Sequence, residues 1–256
     1  MTKNVLGLNI NYIDKGEGDL VVLLHGWGAN ISLFSSMAEL LSKKYRVVAM
    51  DLPGFGGSDE PPNAWCVDDY TDFVIEFLKD YNADEITFLG HSFGGRVIIK
   101  MFERKHLPFK IKKLILTGSA GVKPKKSTKQ KVKQRIYKIT KGVYQTKLVT
   151  KLFPNALENL RKRNGSADYN AASPIMRQTL VKVVNEDLVY LFEKVNPPTL
   201  LIWGKNDTAT PISDGYLMEK LMPEAALVVL ERSGHYAFLD EMFAFNKILA
   251  SFMNID

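Results

Sequence analysis

The sequence contains the stretch Ile86-Thr87-Phe88-Leu89-Gly90-His91-Ser92-Phe93-Gly94-Gly95. Its first residues are apolar or β-branched, as in a buried strand, and they lead through Gly-x-Ser-x-Gly into residues that suit a helix. A serine at such a sharp strand-to-helix turn has a strained backbone and projects its hydroxyl, while Gly90 and Gly94 allow close approach of the chain. A flexible turn can carry the same motif, but the strand before it and the helix after it predict that Ser92 is a nucleophile.

Strand-like and helix-like segments alternate on both sides of this stretch. Aliphatic or β-branched runs predict strands at residues 10–12, 20–25, 45–51, 86–90, 113–118, 199–204 and 226–230. Helical spacing predicts helices at residues 32–42, 67–81, 93–105, 214–222 and 238–252. Several of the strands are almost continuously apolar, as expected where both faces of a sheet are covered. The alternation therefore predicts an α/β fold with a mostly parallel sheet flanked by helices.

The alternation stops between residues 121 and 195. No ordinary loop is that long, so this segment needs structure of its own. Val132, Ile136, Ile139 and Val143 follow helical spacing within it. The prolines at positions 197 and 198 then favour an extended return to the sheet. We predict a helical insertion at residues 121–195, packed on a core of residues 1–120 and 196–256.

An unactivated serine is a weak nucleophile, so Ser92 requires a general base and an acid that orients this base. The chain has four histidines. His235 follows the last predicted strand, and the carboxyl ends of parallel strands share one edge of a sheet. This position favours His235 as the base, whereas His25, His91 and His106 are interpreted as structural or pocket-lining residues.

Asp207 is the predicted acid, because it follows the strand at residues 199–204 in the turn Gly-Lys-Asn-Asp. Aspartate is also common in turns and helix caps, which is the alternative explanation. The preceding strand ends in Thr-Gly-Ser-Ala-Gly and offers no carboxylate, and Asp214 is a second choice. The order Ser92, Asp207, His235 is one in which such triads occur, and this order favours Asp207.

A tetrahedral intermediate also needs amide donors for its oxyanion. The amide of Phe93, directly after the nucleophile, is expected to supply one donor. The loop His25-Gly26-Trp27-Gly28 follows an early strand and is expected to supply the other from the amide of Trp27. An ordinary glycine-rich turn is the alternative interpretation of this loop.

Composition narrows the class of protein. The 256 residues are 46% apolar and 24% charged, which is typical of one large globular domain rather than a disordered or fibrous chain. The single cysteine, Cys66, excludes an intramolecular disulfide or a thiol cluster for zinc. No secretory signal is visible, and no apolar run reaches the roughly 20 residues of a membrane span. We therefore expect a cytoplasmic protein that uses no metal or organic cofactor.

The net charge of +6 is unevenly distributed. Residues 121–164 contain 14 Lys or Arg and one acid, Glu158, whereas the remainder holds 20 basic and 27 acidic residues. A solvated helix face is the simplest interpretation of this basic insertion. Steering of an anionic substrate or contact with an anionic membrane surface are the alternatives. No nucleic-acid partner is expected, because no recognisable module is present.

Together these motifs resemble the α/β-hydrolase fold family, in its serine-nucleophile branch, over most of the chain. The resemblance rests on five motifs, which are His-Gly-Trp-Gly at 25–28, Asp-Leu-Pro-Gly-Phe-Gly-Gly-Ser at 51–58, the elbow at 90–95, Gly-Lys-Asn-Asp at 204–207 and Ser-Gly-His at 233–235. Ser92 argues against the haloalkane dehalogenases and epoxide hydrolases of the family, which have aspartate there. The resemblance implies that residues 121–195 form a cap over the active site. Phe55 and His91, with Trp27 and Phe93, are pocket-wall candidates.

The leading hypothesis is a carboxylesterase-like serine hydrolase that cleaves a small-molecule ester, or a related carbonyl substrate, through an acyl-enzyme. A carbon-carbon bond hydrolase of a ketone-bearing acid would use the same triad. That branch often has Asn before the nucleophile, where this chain has His91. The chain also lacks the His-Gly-Gly-Gly loop of one lipase and esterase branch. A third hypothesis is a receptor in which a bound small molecule moves the cap.

Overall fold

A single mixed sheet forms the centre of the protein. The computed structural model describes residues 1–124 and 166–255, and between them only positions 135, 136, 139, 140, 142, 144, 146, 152, 155, 156 and 160. The strands are β1 (Thr2–Val5), β2 (Leu8–Lys15), β3 (Leu20–Leu24), β4 (Arg46–Met50), β5 (Glu85–His91), β6 (Lys110–Thr117), β7 (Thr199–Gly204) and β8 (Ala225–Leu230). They lie side by side in the order β1-β2-β4-β3-β5-β6-β7-β8.

The direction of the strands sets one functional edge. The pairs β1–β2 and β2–β4 are antiparallel, and every pair from β4 across to β8 is parallel. The carboxyl ends of β3 to β8 therefore open on one edge of the sheet, where ligands bind in open α/β folds. The predicted α/β fold with a mostly parallel sheet is confirmed.

Helices cover both faces of the sheet. They are α1 (Ser35–Leu41), α2 (Val67–Leu78), α3 (Phe93–Met101), α4 (Ala167–Ala171), α5 (Pro174–Asn185), α6 (Ile212–Leu221), α7 (Ala237–Asp240) and α8 (Met242–Met253), with 3-10 turns at Ile31–Phe34, Lys79–Tyr81 and Val189–Lys194. The single helix predicted at residues 238–252 is two helices, because Glu241 leaves the helical region at φ −127° and ψ 52°.

Alternate side chains of the central strands enter two separate cores. On β3, Val22 and Leu24 belong to the core that α2 and α3 cover, whereas Val21 and Leu23 belong to the core that α1 and α8 cover. Successive strand residues point to opposite faces, so a strand between two helix layers is apolar throughout. All five residues of β3 are buried.

The edge hairpin of β1 and β2 is longer than the three strand residues predicted at 10–12. Val5 pairs with Leu8 across a two-residue turn, and Leu6 and Gly7 both have positive φ, at 50° and 83°. A type I′ turn needs positive φ at both positions and usually has Asn-Gly there. With Leu in the first position and a polar β1, the sequence lacks the usual hairpin signal.

Much of the described part of the predicted insertion is helical. It contains α4, α5 and the 3-10 turn Val189–Lys194. Ile136 and Ile139 are also helical, and their side chains are exposed. Val132 and Val143 of the predicted apolar stripe lie outside the described residues, and the role of residues 121–195 as a cap stays a prediction. None of the helices that the structure describes has the length and hydropathy to cross a bilayer.

Candidate active site

Ser92 lies on a strained turn between β5 and α3. Its φ is 51° and its ψ is −111°, a conformation that costs a non-glycine residue about 1–3 kcal/mol. Two backbone hydrogen bonds hold the turn to the end of β6, since Ser92 N–H donates to the Thr117 carbonyl (3.1 Å) and Ala120 N–H donates to the Ser92 carbonyl (3.0 Å). The neighbouring strand thus fixes the position of a half-buried serine at the functional edge.

Two glycines allow the chain to pack closely around this turn. A Cβ atom on Gly94 would lie 2.0 Å from the Leu24 carbonyl oxygen. One on Gly26 would lie 2.7 Å from His91 Nδ1 and 3.1 Å from Ser92 Cβ. Only glycine therefore brings the loop after β3 into contact with the start of α3.

His235 and Asp207 meet at the same edge. His235 Nδ1 lies 2.8 Å from Asp207 Oδ2, whose side chain has no exposed surface. The amides of Ala209 and Thr210 each donate to Asp207 Oδ1 at 2.9 Å. Burial alone would raise the pKa of the Asp207 carboxyl, but the hydrogen bonds from His235 and Thr210 outweigh it and lower this pKa. The acid therefore stays ionised beside the imidazole.

Thr210 extends this carboxylate site and was not anticipated from the sequence. Its Oγ1 lies 2.8 Å from Asp207 Oδ2 and 2.9 Å from the Gly118 carbonyl oxygen. Asp214, the second choice for the acid, is half-buried on α6 and forms no hydrogen bond or ion pair with His235 among the described residues. The structure thus brings His235 together with Asp207 rather than with Asp214.

The two amides expected to hold an oxyanion belong to Trp27, after β3, and to Phe93, directly after Ser92. Trp27 follows β3 and its ring packs edge-on against Phe93, with 5.6 Å between ring centroids. Phe93 is the first residue of α3, where helix amides have no partner within the helix. In the described part of the chain, neither the Trp27 nor the Phe93 amide donates to a protein acceptor. Their role in holding an oxyanion stays a prediction.

Hydrogen bonds of His25 and Asp51 hold the loop that contains Trp27. The Leu52 amide donates to His25 Nε2 at 2.9 Å, so the proton of the neutral ring is on Nδ1, which donates to the Gly26 carbonyl at 2.7 Å. Burial lowers the pKa of His25, which keeps the ring neutral. The Asp51 carboxylate accepts from the Ile31 amide at 2.7 Å and ties the next loop to the same frame.

His91 and Phe55 lie beside the cavity and do not line it within the described residues. His91 Nε2 donates to the His235 carbonyl at 3.0 Å, and its ring faces Phe238 on the opposite side of the sheet from Phe93. Burial, with a smaller effect of His235, lowers the pKa of His91 to about 3. His91 is therefore a neutral residue that holds the His235 backbone, and Phe55 packs against Trp27.

A cavity of about 810 Å³ opens above Ser92 and His235. Its wall is largely apolar and includes Val122, Leu180, Val183, Val184 and Leu217. Arg96, on α3, contributes a buried charged side chain that the sequence did not single out. Among the described residues, no group of three His, Cys, Asp or Glu side chains is arranged to hold a metal ion.

A mostly parallel sheet with a serine on a sharp turn at its carboxyl edge defines the class of α/β hydrolases. The chain belongs to the alpha/beta hydrolase fold family, whose model matches residues 19–242. The family that the sequence resembles is thereby confirmed.

The proteins to which this chain is similar include a dioate hydrolase and esterases. A 2-hydroxy-6-oxononadienedioate/2-hydroxy-6-oxononatrienedioate hydrolase of Pseudomonas putida is 29% identical over 270 residues, covering 97% of this chain and 93% of that protein. A pimeloyl-[acyl-carrier protein] methyl ester esterase of Aliivibrio fischeri is 28% identical over 254 residues, with 94% and 95% covered. The solved esterase of Exiguobacterium antarcticum is 26% identical with a TM-score of 0.76, covering 99% of this chain and 98% of that one.

Proposed function

We propose that the protein is a serine hydrolase that cleaves carboxylic esters with Ser92 as nucleophile, His235 as general base and Asp207 as the orienting acid. The observation that carries the proposal is the 2.8 Å contact between His235 Nδ1 and buried Asp207, at a cavity that Ser92 also lines. A carboxylate at Nδ1 leaves Nε2 as the basic nitrogen, which is the state that a general base requires.

The reaction proceeds in two displacements. His235 takes the proton of Ser92 Oγ as the oxygen attacks the ester carbonyl, and the amides of Trp27 and Phe93 stabilise the oxyanion. His235 then gives the proton to the leaving alcohol, which leaves an acyl group on Ser92. Water attacks this acyl-enzyme with His235 again as base, so the acid is released and Ser92 regains its proton. Asp207 stays ionised throughout and stabilises the imidazolium.

The test compares Ser92→Ala with Ser35→Ala on p-nitrophenyl acetate and butyrate. Ser35 is an exposed serine on α1, away from the cavity. Ser92→Ala is expected to reduce kcat/KM by roughly 10³-fold or more, because it removes the nucleophile, whereas Ser35→Ala keeps wild-type turnover. A fluorophosphonate probe is expected to label wild-type protein and leave Ser92→Ala unlabelled. Turnover retained in Ser92→Ala would refute the assignment.

Carbon-carbon bond cleavage is the second candidate, favoured by the similarity to the Pseudomonas putida hydrolase. The same three residues would serve a ketone-bearing acid, since the carbonyl is again the electrophile. Comparison of short acyl esters with a vinylogous diketone acid separates the two reactions. Turnover of the diketone acid that exceeds ester turnover under equal conditions would reverse the order of the candidates.

We further propose that residues 121–195 act as the cap of this site. Their basic part, with 14 Lys or Arg between residues 121 and 164, favours an anionic substrate, and contact with an anionic membrane surface is the alternative role. Hydrolysis of one ester in the presence of neutral and of anionic lipid vesicles distinguishes the two. Activation by anionic vesicles alone would favour the membrane surface.

A further inference from the structure

Arg96 is a buried cation in the wall of the candidate active site. It lies on α3, one helical turn after Ser92, and is 3% exposed. Ser92, His235 and Arg96 line the same cavity. Residues four apart lie on the same face of a helix, so the guanidinium and the nucleophile face the same space.

The protein satisfies only part of this guanidinium. Nη1 donates to the Glu186 carbonyl, directly after α5. In the described part of the chain, Arg96 forms no other hydrogen bond and has no carboxylate within 4.0 Å. A guanidinium has five N–H donors, and a buried charge is costly unless it is paired. Most of its donors therefore remain for something in the cavity.

The next two cations along the chain, Lys100 on α3 and Arg104 after its end, are paired differently. Lys100 is bound by Asp68, Glu103 and Glu186, and Arg104 is bound by Asp68 and Asp72. Each of them thus has at least two carboxylate partners within the fold. Arg96 has no carboxylate partner within 4.0 Å among the described residues.

Other charges near Arg96 leave it cationic. Asp214 and the exposed Asp168 and Lys123 also line the cavity, and the Glu186 carboxylate already binds Lys100 at 2.8 Å. Burial lowers the pKa of Arg96 to about 10, against the opposing effect of nearby carboxylates. The guanidinium is therefore protonated at neutral pH. A guanidinium that no carboxylate of the described residues pairs suits a singly charged anion such as a carboxylate.

We propose that Arg96 binds a carboxylate of the substrate, so that the preferred substrates are esters whose acyl chain carries a second, free carboxylate. This inference rests on the proposed ester hydrolysis. The planar fork of Arg matches a carboxylate through two parallel hydrogen bonds. The exposed Lys123 also lines the cavity and adds positive charge there.

The experiment compares matched acid and amide substrates. The kcat/KM values are measured at about pH 8 for the monomethyl esters of glutaric, adipic and suberic acids and for the corresponding monomethyl ester amides. The wild type is expected to favour at least one acid over its amide by roughly 10- to 100-fold, the range of a hydrogen-bonded charge. Arg96→Gln is expected to abolish this preference, and Arg96→Lys to retain part of it.

Arg104→Gln is the matched control, because Arg104 follows the end of α3, is bound by carboxylates and does not line the cavity. It is expected to keep the preference for the acid. An equal loss for acid and amide in Arg96→Gln would overturn the proposal, since it would mean that Arg96 only ties α5 to α3. Wild-type protein without any acid preference would overturn it as well.

Two measurements on wild-type protein keep the test decisive if Arg96→Gln does not fold. Adipate is expected to inhibit hydrolysis of p-nitrophenyl butyrate competitively and to raise the Tm, and adipamide to do neither. Equal effects of the two compounds would contradict carboxylate binding. Absence of Ser92-dependent turnover across all esters would instead refute the proposed function, while the difference in Tm still reports on Arg96.

Discussion

His91 makes the free energy of unfolding depend on pH, and a single substitution at this residue tests this contribution. The buried ring is neutral in the folded state with a pKa of about 3, against 6.5 for an unperturbed histidine. At a pH between these two values, His91 therefore binds a proton in the unfolded chain but not in the folded chain. The free energy of unfolding rises with pH wherever the unfolded state holds more protons, so this contribution is full above pH 6.5 and falls as the pH decreases.

The magnitude follows from the two pKa values. When the pH falls from about 7.5 to 5, protonation of His91 stabilises the unfolded state by about 2 kcal/mol. The folded state gains nothing, because its His91 stays neutral over this range. His91→Asn removes this proton uptake and keeps an N–H donor for the His235 carbonyl. His25 is also buried with a lowered pKa, and its contribution is the same in both proteins.

The assay is urea unfolding at about pH 7.5 and pH 5, followed by circular dichroism. Between these two pH values, the free energy of unfolding of the wild type is expected to fall by about 2 kcal/mol more than that of His91→Asn. His106→Asn is the control, because His106 is exposed near the end of the segment after α3, and it is expected to lose as much as the wild type. An identical pH dependence in wild type and His91→Asn would show that His91 is not held neutral by burial.

Two further substitutions test the frame around Ser92. Gly94→Ala is expected to lower the free energy of unfolding in urea by about 3 kcal/mol or more, because its Cβ would lie 2.0 Å from a backbone carbonyl oxygen. Gly142→Ala is expected to cause no loss, because the described residues place no atom outside its own helix and chain neighbours within 4 Å of the added Cβ. Asp51→Asn is expected to cost about 1–3 kcal/mol, since Asp51 accepts from two backbone amides and a side-chain amide, while Asp59→Asn, with one exposed acceptor contact, costs less. Equal losses within either pair would refute the corresponding contact.

The centre of the fold was predictable because local sequence and tertiary environment agree there. The apolar run of β3 and the strand-turn-helix pattern around Ser92 leave few alternatives to a covered parallel sheet. At the edge of the sheet formed by β1 and β2, local sequence and tertiary environment disagree. β1 is polar and its turn is Leu6-Gly7, so pairing with β2, rather than propensity, forms the hairpin.

The candidate site also has residues that the sequence predicts and residues that it does not. His235 and Asp207 were predictable, because each follows a strand and the strand ends converge. Thr210 was not, since its hydroxyl reaches Asp207 only through the local turn after β7. The position of His91 beside Ser92 suggested a pocket wall. A strand alternates its faces, however, and His91 points to Phe238 on the other side.

Arg96 shows how the insertion can affect the choice of substrate. The spacing of Arg96, Lys100 and Arg104 within the predicted helix at residues 93–105 is typical of a solvated helix face. In the structure, the end of α5 and the turn at Val189–Lys194 cover this face, so that Lys100 is 5% exposed and is neutralised by carboxylates. Arg96 receives from the same cover only a backbone carbonyl. Among the described residues, the packing that supplies carboxylates to Lys100 supplies none to Arg96, and this difference is the basis for the proposed binding of a substrate carboxylate by Arg96.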